Sequence, residues 1–457
     1  MASRDQNVIG LDIGTSLIKM VEIRSARSGL QLTAIAVRPT PPGVIDNGVI
    51  TDPETLSAAL RGMVATIGTK GRRVVSSVAS QSSLVVRPIE VPKSTREELA
   101  DMMQWEVERH IPFAATEVIM DFQPLVDPEQ LPPDAQNMEV LLAVAQEDMI
   151  NAHVETLESA GLDPIALDVE PLAAARSLID INADQGAYDE TIALLNVGCT
   201  TSEISVVRRG QLALTRPMPW AGDSLTRAIG ETLGHGREEA ERMKREQARI
   251  LLNGEAEGPA APATPPPDAA APGPAPGAPP AQPEAPPGAP SEEAPTGPVF
   301  DLSAELGDIP ARRAPRQEAP AEPSAPEPPP AQEVAATPWR PGEAGPPVPV
   351  GDDLGRQIHQ AMAPALAEMA NEVRRSIDYY NGRSSGNPVT RIILFGGSAL
   401  LPNLDRYLER ELTLPVHLAE PIRRIRNVNP QISSTYIEEV GCILSVAVGL
   451  AIRDMIG

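Results

Sequence analysis

Three segments of the chain place glycine next to hydroxyl side chains where an apolar run ends. In the first, residues 8–13 form an apolar run that leads into Gly14, Thr15 and Ser16. A glycine in such a turn lets backbone N–H groups approach phosphate oxygens, and Asp12 at the strand tip is suited to hold water around Mg²⁺. The segment predicts a phosphate clamp, although a Gly-Thr-Ser hairpin without any ligand fits the same residues.

The other two segments repeat this logic later in the chain. Residues 191–215 read as strand, turn VGCTT, strand, turn RRG and strand. Residues 391–401 read as an apolar strand followed by a Gly-Gly-Ser turn and the start of a helix, where anionic groups are favoured. Two similar hairpins in one chain predict two similar domains that hold a nucleotide between them.

The composition separates a folded part from a long acidic tract. The chain has 457 residues and a net charge of −24, and 29 of its 50 prolines lie between Pro259 and Pro349. Residues 254–353 also carry 16 acidic side chains against four arginines and no lysine. This tract predicts a disordered acidic linker rich in proline and alanine. The chain shows no basic stripe, which argues against a nucleic-acid partner.

Cysteine usage and hydropathy indicate a cytoplasmic protein. Cys199 and Cys442 are far apart and lack metal-site spacing, so we expect two reduced core residues. The N-terminal segment has no apolar stretch typical of a secretory signal. The longest membrane-span candidate, residues 441–452, is short for a bilayer and reads as a core helix.

Hydrophobic periodicity predicts an α/β fold around a mixed sheet. We expect strands at 8–13, 17–24, 30–37, 74–78, 118–124 and 138–144, and helices at 53–67, 94–109, 148–160, 237–252, 354–381 and 435–455. Ser94 and Glu97 would form a capping box. Gly441 and Ala447 would allow the last helix to pack closely. Residues 85–163 read as a compact inserted module.

The run at 105–125 and two islands in the acidic tract each allow two interpretations. The run at 105–125 ends a charged helix at Pro112, which indicates either a simple helix stop or a rigid apolar corner for a partner. The islands 299–309 and 337–340 in the acidic tract fit either an inert spacer or short partner motifs.

Taken in order, these features resemble the five-part signature of the actin–hexokinase–Hsp70 ATPase fold. Residues 10–22 and 194–210 match its phosphate motifs, 395–401 its adenosine motif, and 169–178 and 441–455 its connecting helices. The run WEVERHIPFAATEVIMDFQPL and the module around it are similar to the PilM family, the actin-like component of the type IV pilus inner-membrane platform. Residues 222–246 fit that family and its cell-division relative FtsA. The sequence ends at Gly457 without the terminal membrane helix of FtsA-like proteins, which favours PilM.

The resemblance implies a division into two actin-like domains with a nucleotide cleft between them. The first would comprise residues 1–84 and 165–190, with 85–164 as the inserted partner-binding subdomain. The second would comprise 191–253 and 354–457, with 254–353 as the disordered insertion.

The resemblance also implies roles for individual residues. Asp12 would face Mg²⁺ through water, and Glu170 would orient the attacking water. The phosphates would be held by Gly14, Thr15, Ser16 and Lys19 on one side and by Asn196, Gly198, Thr200 and Thr201 on the other. The ribose and adenine would be held by Glu241, Lys244, Gly396, Gly397 and Ser398. An ordinary surface pair is the other interpretation of Glu241 and Lys244.

One residue departs from the family pattern. The second phosphate motif usually begins with Asp, and this chain has Asn196 there. An amide brings no charge, so it attracts Mg²⁺ and activates water less well. We therefore expect ATP and Mg²⁺ to bind, with hydrolysis slow or absent.

The implied function is that of a cytoplasmic nucleotide-binding scaffold in type IV pilus assembly. It would bind the cytoplasmic N-terminal segment of PilN in a groove between the inserted module and the first domain. PilO, PilC and the pilus motor ATPases would connect to it through the platform, which would hold it at the membrane indirectly. The sequence does not decide whether the chain forms a homodimer. The alternatives are an FtsA-like division scaffold and a sugar or acetate kinase, for which no substrate-binding constellation stands out.

Overall fold

The computed structural model describes residues 6–69, 71–79, 83–112, 114, 117–179, 189–252, 352–384 and 386–455. Within these residues, two α/β domains meet at a cleft, and a subdomain is inserted into the first. The acidic tract lies outside the described residues except for its last two positions, which already belong to a helix. Its two islands and Phe113 lie outside them as well.

The first domain is built on a six-stranded sheet. Its strands are β1 (Gln6–Ile13), β2 (Leu17–Ala26), β3 (Gly29–Pro39), β6 (Arg73–Val78), β10 (Asp163–Val169) and β16 (Arg426–Asn427), and a small hairpin of β4 (Ile45–Asp46) and β5 (Val49–Ile50) lies beside it. The sheet order is β10-β6-β1-β2-β3-β16, with β1, β2 and β3 antiparallel and the outer strands parallel to their neighbours. The predicted meander and mixed sheet are confirmed.

Helix α1 (Pro53–Ile67) covers this sheet and has the bounds that the sequence predicts. The Asp52 carboxylate accepts a hydrogen bond from the Thr55 amide at 3.0 Å, and Pro53 occupies the first turn, where its missing N–H has no cost. Gly68 ends the helix in the left-handed conformation at φ 63°. The buried face, which includes Leu56 and Leu60, packs into the core of the first domain.

The inserted subdomain has its own sheet and its own core. It consists of β7 (Leu84–Pro92), α2 (Arg96–Glu106), β8 (Val118–Pro124) and β9 (Asn137–Gln146), and its antiparallel order is β7-β9-β8. Leu99 and Met103 of α2 are buried in a core that the sheet shares. The capping box is formed by Thr95 and Glu98, so the predicted pair Ser94 and Glu97 is wrong by one residue.

Helix α3 (Glu147–Ser159) follows β9 and returns the chain to the first domain. It packs on α1 and on β10, and Leu157 is buried in the core of the first domain. The predicted boundary at 164 places α3 in the inserted module, and α3 contacts β8 and β9 of that module as well as the first domain.

The second domain repeats the plan of the first. Its five strands are β11 (Thr191–Val197), β12 (Ser202–Arg208), β13 (Gln211–Met218), β14 (Arg391–Phe395) and β15 (Val416–Leu418), and their order is β13-β12-β11-β14-β15. Its helices are α5 (Gly222–Leu233), α6 (Arg237–Gln247), α7 (Asp352–Asn381) and α8 (Leu404–Leu412). The helix predicted at 237–252 ends at Gln247 instead.

Two helical segments connect the domains. The first is α4 (Glu170–Leu178); the second runs through α9 (Ser434–Val440), a 3₁₀ turn (Gly441–Leu444) and α10 (Ser445–Ala451), so the helix predicted at 435–455 is interrupted. Where α10 crosses α4, a Cβ on Gly449 would lie 1.7 Å from the Ala173 carbonyl oxygen. A Cβ on Gly10 would likewise lie 1.8 Å from the Ala447 carbonyl oxygen.

Gly449 is therefore the residue that permits the close crossing. A Cβ on Gly441 would meet nothing within 4 Å, so the packing role predicted for Gly441 is wrong. The stretch Ser434–Ala451 is long and apolar enough to cross a membrane, and 72% of it is buried inside the protein. Its apolar side chains pack between α4 and the first sheet, as expected of a core helix.

Candidate functional site

The two predicted phosphate hairpins have the same backbone closure and face each other. The Gly14 amide donates to the Leu17 carbonyl at 3.0 Å, and the Gly198 amide donates to the Thr201 carbonyl at 3.0 Å. A hydrogen bond of 3.0 Å joins the hydroxyls of Thr15 and Thr200 across the cleft. The tips of the two hairpins thus meet at the domain boundary.

The first hairpin carries an ion pair between a buried carboxylate and a largely buried lysine. Asp12 and Lys19 are opposite each other in the β1–β2 ladder, and their charged atoms lie 2.7 Å apart. Thr40 at the end of β3 holds the turn from behind: its hydroxyl donates to the Gly14 carbonyl at 2.6 Å, and its amide donates to the Ser16 carbonyl at 2.9 Å. The sequence offered no signal for Thr40, because its contact depends on the third strand of the meander.

Glu170 reaches the cleft from the first turn of α4. The Asn196 side-chain amide donates to its carboxyl group at 3.2 Å. Desolvation, together with the negative charge of Asp12, raises the pKa of Glu170 to about 8. Glu170 is therefore largely protonated at neutral pH, which makes it a weak acceptor for a proton from water.

A second carboxyl group in the cleft was missed from the sequence. Glu203 lies directly opposite Asn196 in the β11–β12 ladder, and its negative charge also raises the pKa of Glu170. Desolvation raises the pKa of Glu203 itself to about 7. The available signal was an acidic residue within the predicted strand EISVV, two positions after Thr201.

A cavity of about 150 Å³ joins these groups to the inserted subdomain. Its polar wall comes from the cleft and includes Gly14, Thr15, Glu170, Asn196, Thr201 and Glu203. Its apolar wall comes from the junction of the first domain with β7 and includes Ile45, Ile50, Leu84 and Val86. The cavity therefore connects the phosphate side of the cleft with the base of the inserted subdomain.

The residues predicted to hold ribose and adenine form a connected cluster. Lys244 pairs with Glu241 at 2.7 Å and donates to the Gly222 carbonyl at 3.0 Å and to the Thr226 hydroxyl at 2.8 Å. Burial opposes ionisation of Glu241, but Lys244, Thr226 and Arg245 together lower its pKa. The pair is thus tied to the start of α5 and is more than an isolated surface contact.

The third glycine turn, formed by Gly396, Gly397 and Ser398, is hydrogen-bonded to the second hairpin. The Ser398 hydroxyl donates to the Gly198 carbonyl at 2.9 Å. Gly396 has φ 96°, and a Cβ there would lie 2.5 Å from the Asn196 side-chain oxygen. A Cβ on Gly222 would lie 2.3 Å from the Ser398 hydroxyl. Gly397 is exposed at the start of a short 3₁₀ turn (Gly397–Leu400).

Arg245 is a further residue that was missed from the sequence. Its guanidinium group pairs with Glu241 at 2.7 Å and donates to the Ser16 hydroxyl at 3.4 Å. Because α6 belongs to the second domain and Ser16 to the first, this contact spans the cleft. The signal was the spacing of four residues between Glu241 and Arg245 on one helical face.

The prediction of two core cysteines holds for one of them. Cys442 is buried, whereas Cys199 is half-buried in the second hairpin, where its thiol donates to the Asp223 carboxylate at 3.4 Å. Desolvation and the Asp223 charge raise the pKa of Cys199 to about 11, so the thiol stays protonated at neutral pH.

The fold defines the class of the protein. Two similar domains, two connecting segments, paired hairpins at the cleft and a subdomain inserted between β6 and β10 are the architecture of the actin-like ATPase fold. The sequence pattern of the family described as type IV pilus assembly protein PilM matches residues 10–249 and 351–455. The chain belongs to this family, and the resemblance inferred from the sequence is confirmed.

Similarity to solved and curated proteins agrees with this assignment. A structure described as the PilM-PilN type IV pilus biogenesis complex has a TM-score of 0.69 and 23% identity, and the match covers 99% of this chain and 100% of that one. FtsA of Streptococcus pneumoniae is 25% identical over 261 residues, covering 53% of this chain and 56% of FtsA. FtsA of Bacillus subtilis is 25% identical over 122 residues, or 27% of each chain. The chain spans about half or less of these curated relatives.

Proposed function

We propose that the chain is a cytoplasmic nucleotide-binding scaffold of type IV pilus assembly, held at the inner membrane through its partners. The observation that carries the nucleotide part is the contact of Thr15 with Thr200, because it brings a phosphate-type hairpin from each domain to one point. Backbone amides and hydroxyls from two sides suit a polyphosphate better than a neutral ligand.

The donor set at the cleft fits a magnesium nucleotide. Lys19 and Arg245 supply positive charge beside the hairpins, and Asp12 supplies a buried carboxylate. Among the described residues, no group of three or more His, Cys, Asp or Glu side chains is arranged to hold a metal ion. A bound Mg²⁺ would therefore take most of its ligands from phosphate oxygens and water, with Asp12 acting through that water.

We expect slow ATP hydrolysis because of the two side chains that would lie beside the terminal phosphate, Asn196 and Glu170. Asn196 contributes no charge, and the raised pKa of Glu170 leaves its carboxyl largely protonated at neutral pH. Neither group then draws a proton from water efficiently. The proposed role of nucleotide is accordingly to set the angle between the domains, with turnover slow or absent.

The partner part of the proposal rests on the cavity and on the solved relative. That relative is a PilM-PilN complex, and we propose that this chain likewise binds the cytoplasmic N-terminal segment of PilN between the inserted subdomain and the first domain. The cavity that starts at the hairpins ends at this junction, beside Ile50 and Val86. Nucleotide binding would thus alter the walls of the partner site and its link to the platform and the pilus motor.

Titration calorimetry with a peptide from the N-terminus of the PilN of the same genome, with and without Mg-ATP, tests the proposal. We expect micromolar or tighter peptide binding that differs between the two conditions. The Val86→Asp variant should lose peptide binding while keeping nucleotide binding. An unbound peptide in both conditions would contradict the partner part, and lipid co-sedimentation would then test an FtsA-like scaffold.

A further inference from the structure

The inserted subdomain contacts the second domain as well as the first. Its strand β7 packs on β13, which is the outer strand of the second sheet. Leu125, directly after β8, is buried, and its backbone carbonyl accepts a hydrogen bond from the side-chain amide of Gln211 at the start of β13. This hydrogen bond joins positions 86 residues apart in the chain. The two domains are therefore linked through the inserted subdomain in addition to the connecting segments.

Both sides of this link are held in place by their surroundings. Leu125 and Leu141 of the inserted subdomain share a buried core with Leu212 of the second sheet. The Leu125 amide donates to the Glu139 carbonyl at 3.0 Å, which ties Leu125 to β9. The carbonyl that accepts from Gln211 is thus positioned by the sheet of the inserted subdomain.

The same subdomain is attached to the first domain at its base. Leu84 at the start of β7 packs against a buried cluster that includes Val78 of β6 and Met149 of α3. A body fixed to the first domain at one end and hydrogen-bonded to the second at the other bridges the domains. The hydrogen bond between Gln211 and Leu125, with the packing around it, is here called the strap.

The strap differs from the contact between the two hairpins. The hydroxyls of Thr15 and Thr200 are groups that would hold phosphate, so a bound nucleotide would replace their hydrogen bond. Gln211 and Leu125 belong to neither hairpin, and neither of them lines the cavity. The strap can therefore persist both with and without nucleotide in the cleft.

We propose that the strap holds the cleft closed and sets the rate at which nucleotide enters and leaves. We expect the domains to separate by turning about the connecting segments, because these join them covalently. Such a turn moves β13 away from the inserted subdomain, so the hydrogen bond between Gln211 and Leu125 must break before the cleft opens.

The cavity places a regulator of the strap at the same junction. Leu84 and Val86 of β7 line it together with Thr215 and Pro217 of β13, so the two strands that the strap holds together form its walls. A peptide bound there would move these strands apart, open the strap and speed nucleotide exchange. This second step rests on the partner binding proposed above, whereas the strap itself does not.

Stopped-flow measurement of a fluorescent ATP analogue with the full chain tests the strap. Gln211→Glu keeps the size of the side chain and removes the donor, so it should speed release about fivefold, the effect of one hydrogen bond between neutral groups. Gln211→Ala should do the same without adding a charge. Gln360→Glu on exposed α7 is the matched control and should release nucleotide at the wild-type rate.

The association rate separates a strap from a residue that binds nucleotide. Entry requires the same opening as exit, so both rates should rise in the Gln211 variants while the dissociation constant stays nearly the same. Release at the wild-type rate from both variants would overturn the proposal. Faster release with unchanged association would also overturn it, because the cleft would then bind nucleotide more weakly without opening more often.

The PilN peptide tests the regulatory step. It should speed release from the wild type and from Gln211→Glu to the same final rate, so its effect on the variant is smaller. A peptide that binds without changing release would overturn this step and leave the partner proposal standing. A chain that binds no nucleotide would contradict the proposed function and overturn the strap with it. Gln211 is half-buried, so melting curves that match the wild type verify that the variants fold.

Discussion

The hydroxyl oxygens of Thr15 and Thr200 lie 3.0 Å apart, although 185 residues separate them in the chain. Each hydroxyl belongs to a hairpin of a different domain, so the contact depends on how the domains face each other. A phosphate placed between the hairpins would accept hydrogen bonds from both sides.

Thr200→Ala should weaken ATP binding roughly ten- to a hundredfold, because a hydrogen bond to a charged group contributes roughly 1.5–3 kcal/mol. Fluorescent-nucleotide titration measures this change. Thr66→Ala on the exposed side of α1 is the matched control and should leave affinity unchanged. Equal affinity of the Thr200→Ala variant and the wild type would contradict a phosphate role for the second hairpin.

Asn196→Asp tests what a carboxylate at the start of the second phosphate motif would do to stability and to nucleotide binding. In the absence of nucleotide, the new carboxylate would be a poorly solvated charge beside Glu170 and opposite Glu203, so the melting temperature should fall. With nucleotide, the affinity should become more dependent on Mg²⁺, and turnover should rise. Asn151→Asp on exposed α3 controls for added charge. A variant with unchanged melting temperature and Mg²⁺ dependence would exclude Asn196 from the site.

The crossing of α10 over α4 predicts that alanine substitutions at two glycines have different effects on the free energy of unfolding. Gly449→Ala should lower the free energy of unfolding by about 3 kcal/mol, because the new methyl group overlaps the Ala173 carbonyl. Gly441→Ala, a helical glycine with open space, should be neutral or stabilise by up to ~1 kcal/mol. Urea denaturation of both variants measures the contrast. Similar costs for the two would show that the crossing is looser than described.

His153 predicts how stability depends on pH. It is buried, and its ring Nε2 lies 2.9 Å from the Ser76 hydroxyl, which donates to the Leu11 carbonyl. Desolvation lowers the pKa of His153 to about 4, below its usual value of 6.5. The unfolded chain therefore binds a proton first as pH falls, and stability is lost between pH 6.5 and 4, by about 3 kcal/mol from this group.

His153→Gln should flatten the loss of stability over that interval, because glutamine does not titrate. Thermal melts at half-unit steps from pH 7 to pH 4 measure the difference. His417→Gln, at an exposed histidine, should reproduce the wild-type profile. If His153→Gln kept the wild-type slope, the ring would have to be protonated, or open to water, in the folded protein.

Local sequence signals determined most elements. Alternating or helical apolar patterns and caps such as Asp52 and Gly68 act over only a few residues of the chain. The bounds of α1 and the meander were therefore predicted nearly to the residue. The three glycine turns were found for the same reason, because a tight turn limits the residue types it accepts. The capping box moved from Ser94 to Thr95 because adjacent hydroxyl residues fit the same local pattern.

Contacts between distant segments could not be derived from those signals. Thr40, Glu203 and Arg245 belong to the site only because the strands and domains are packed as they are, and Gly449 is needed only where two helices cross. Cys199 lies in a hairpin instead of the core for the same reason. The sequence by itself determined the elements, the family and the hairpin residues. The tertiary structure alone decided which groups share the cleft, because burial and charge proximity depend on the packing of segments far apart in the chain.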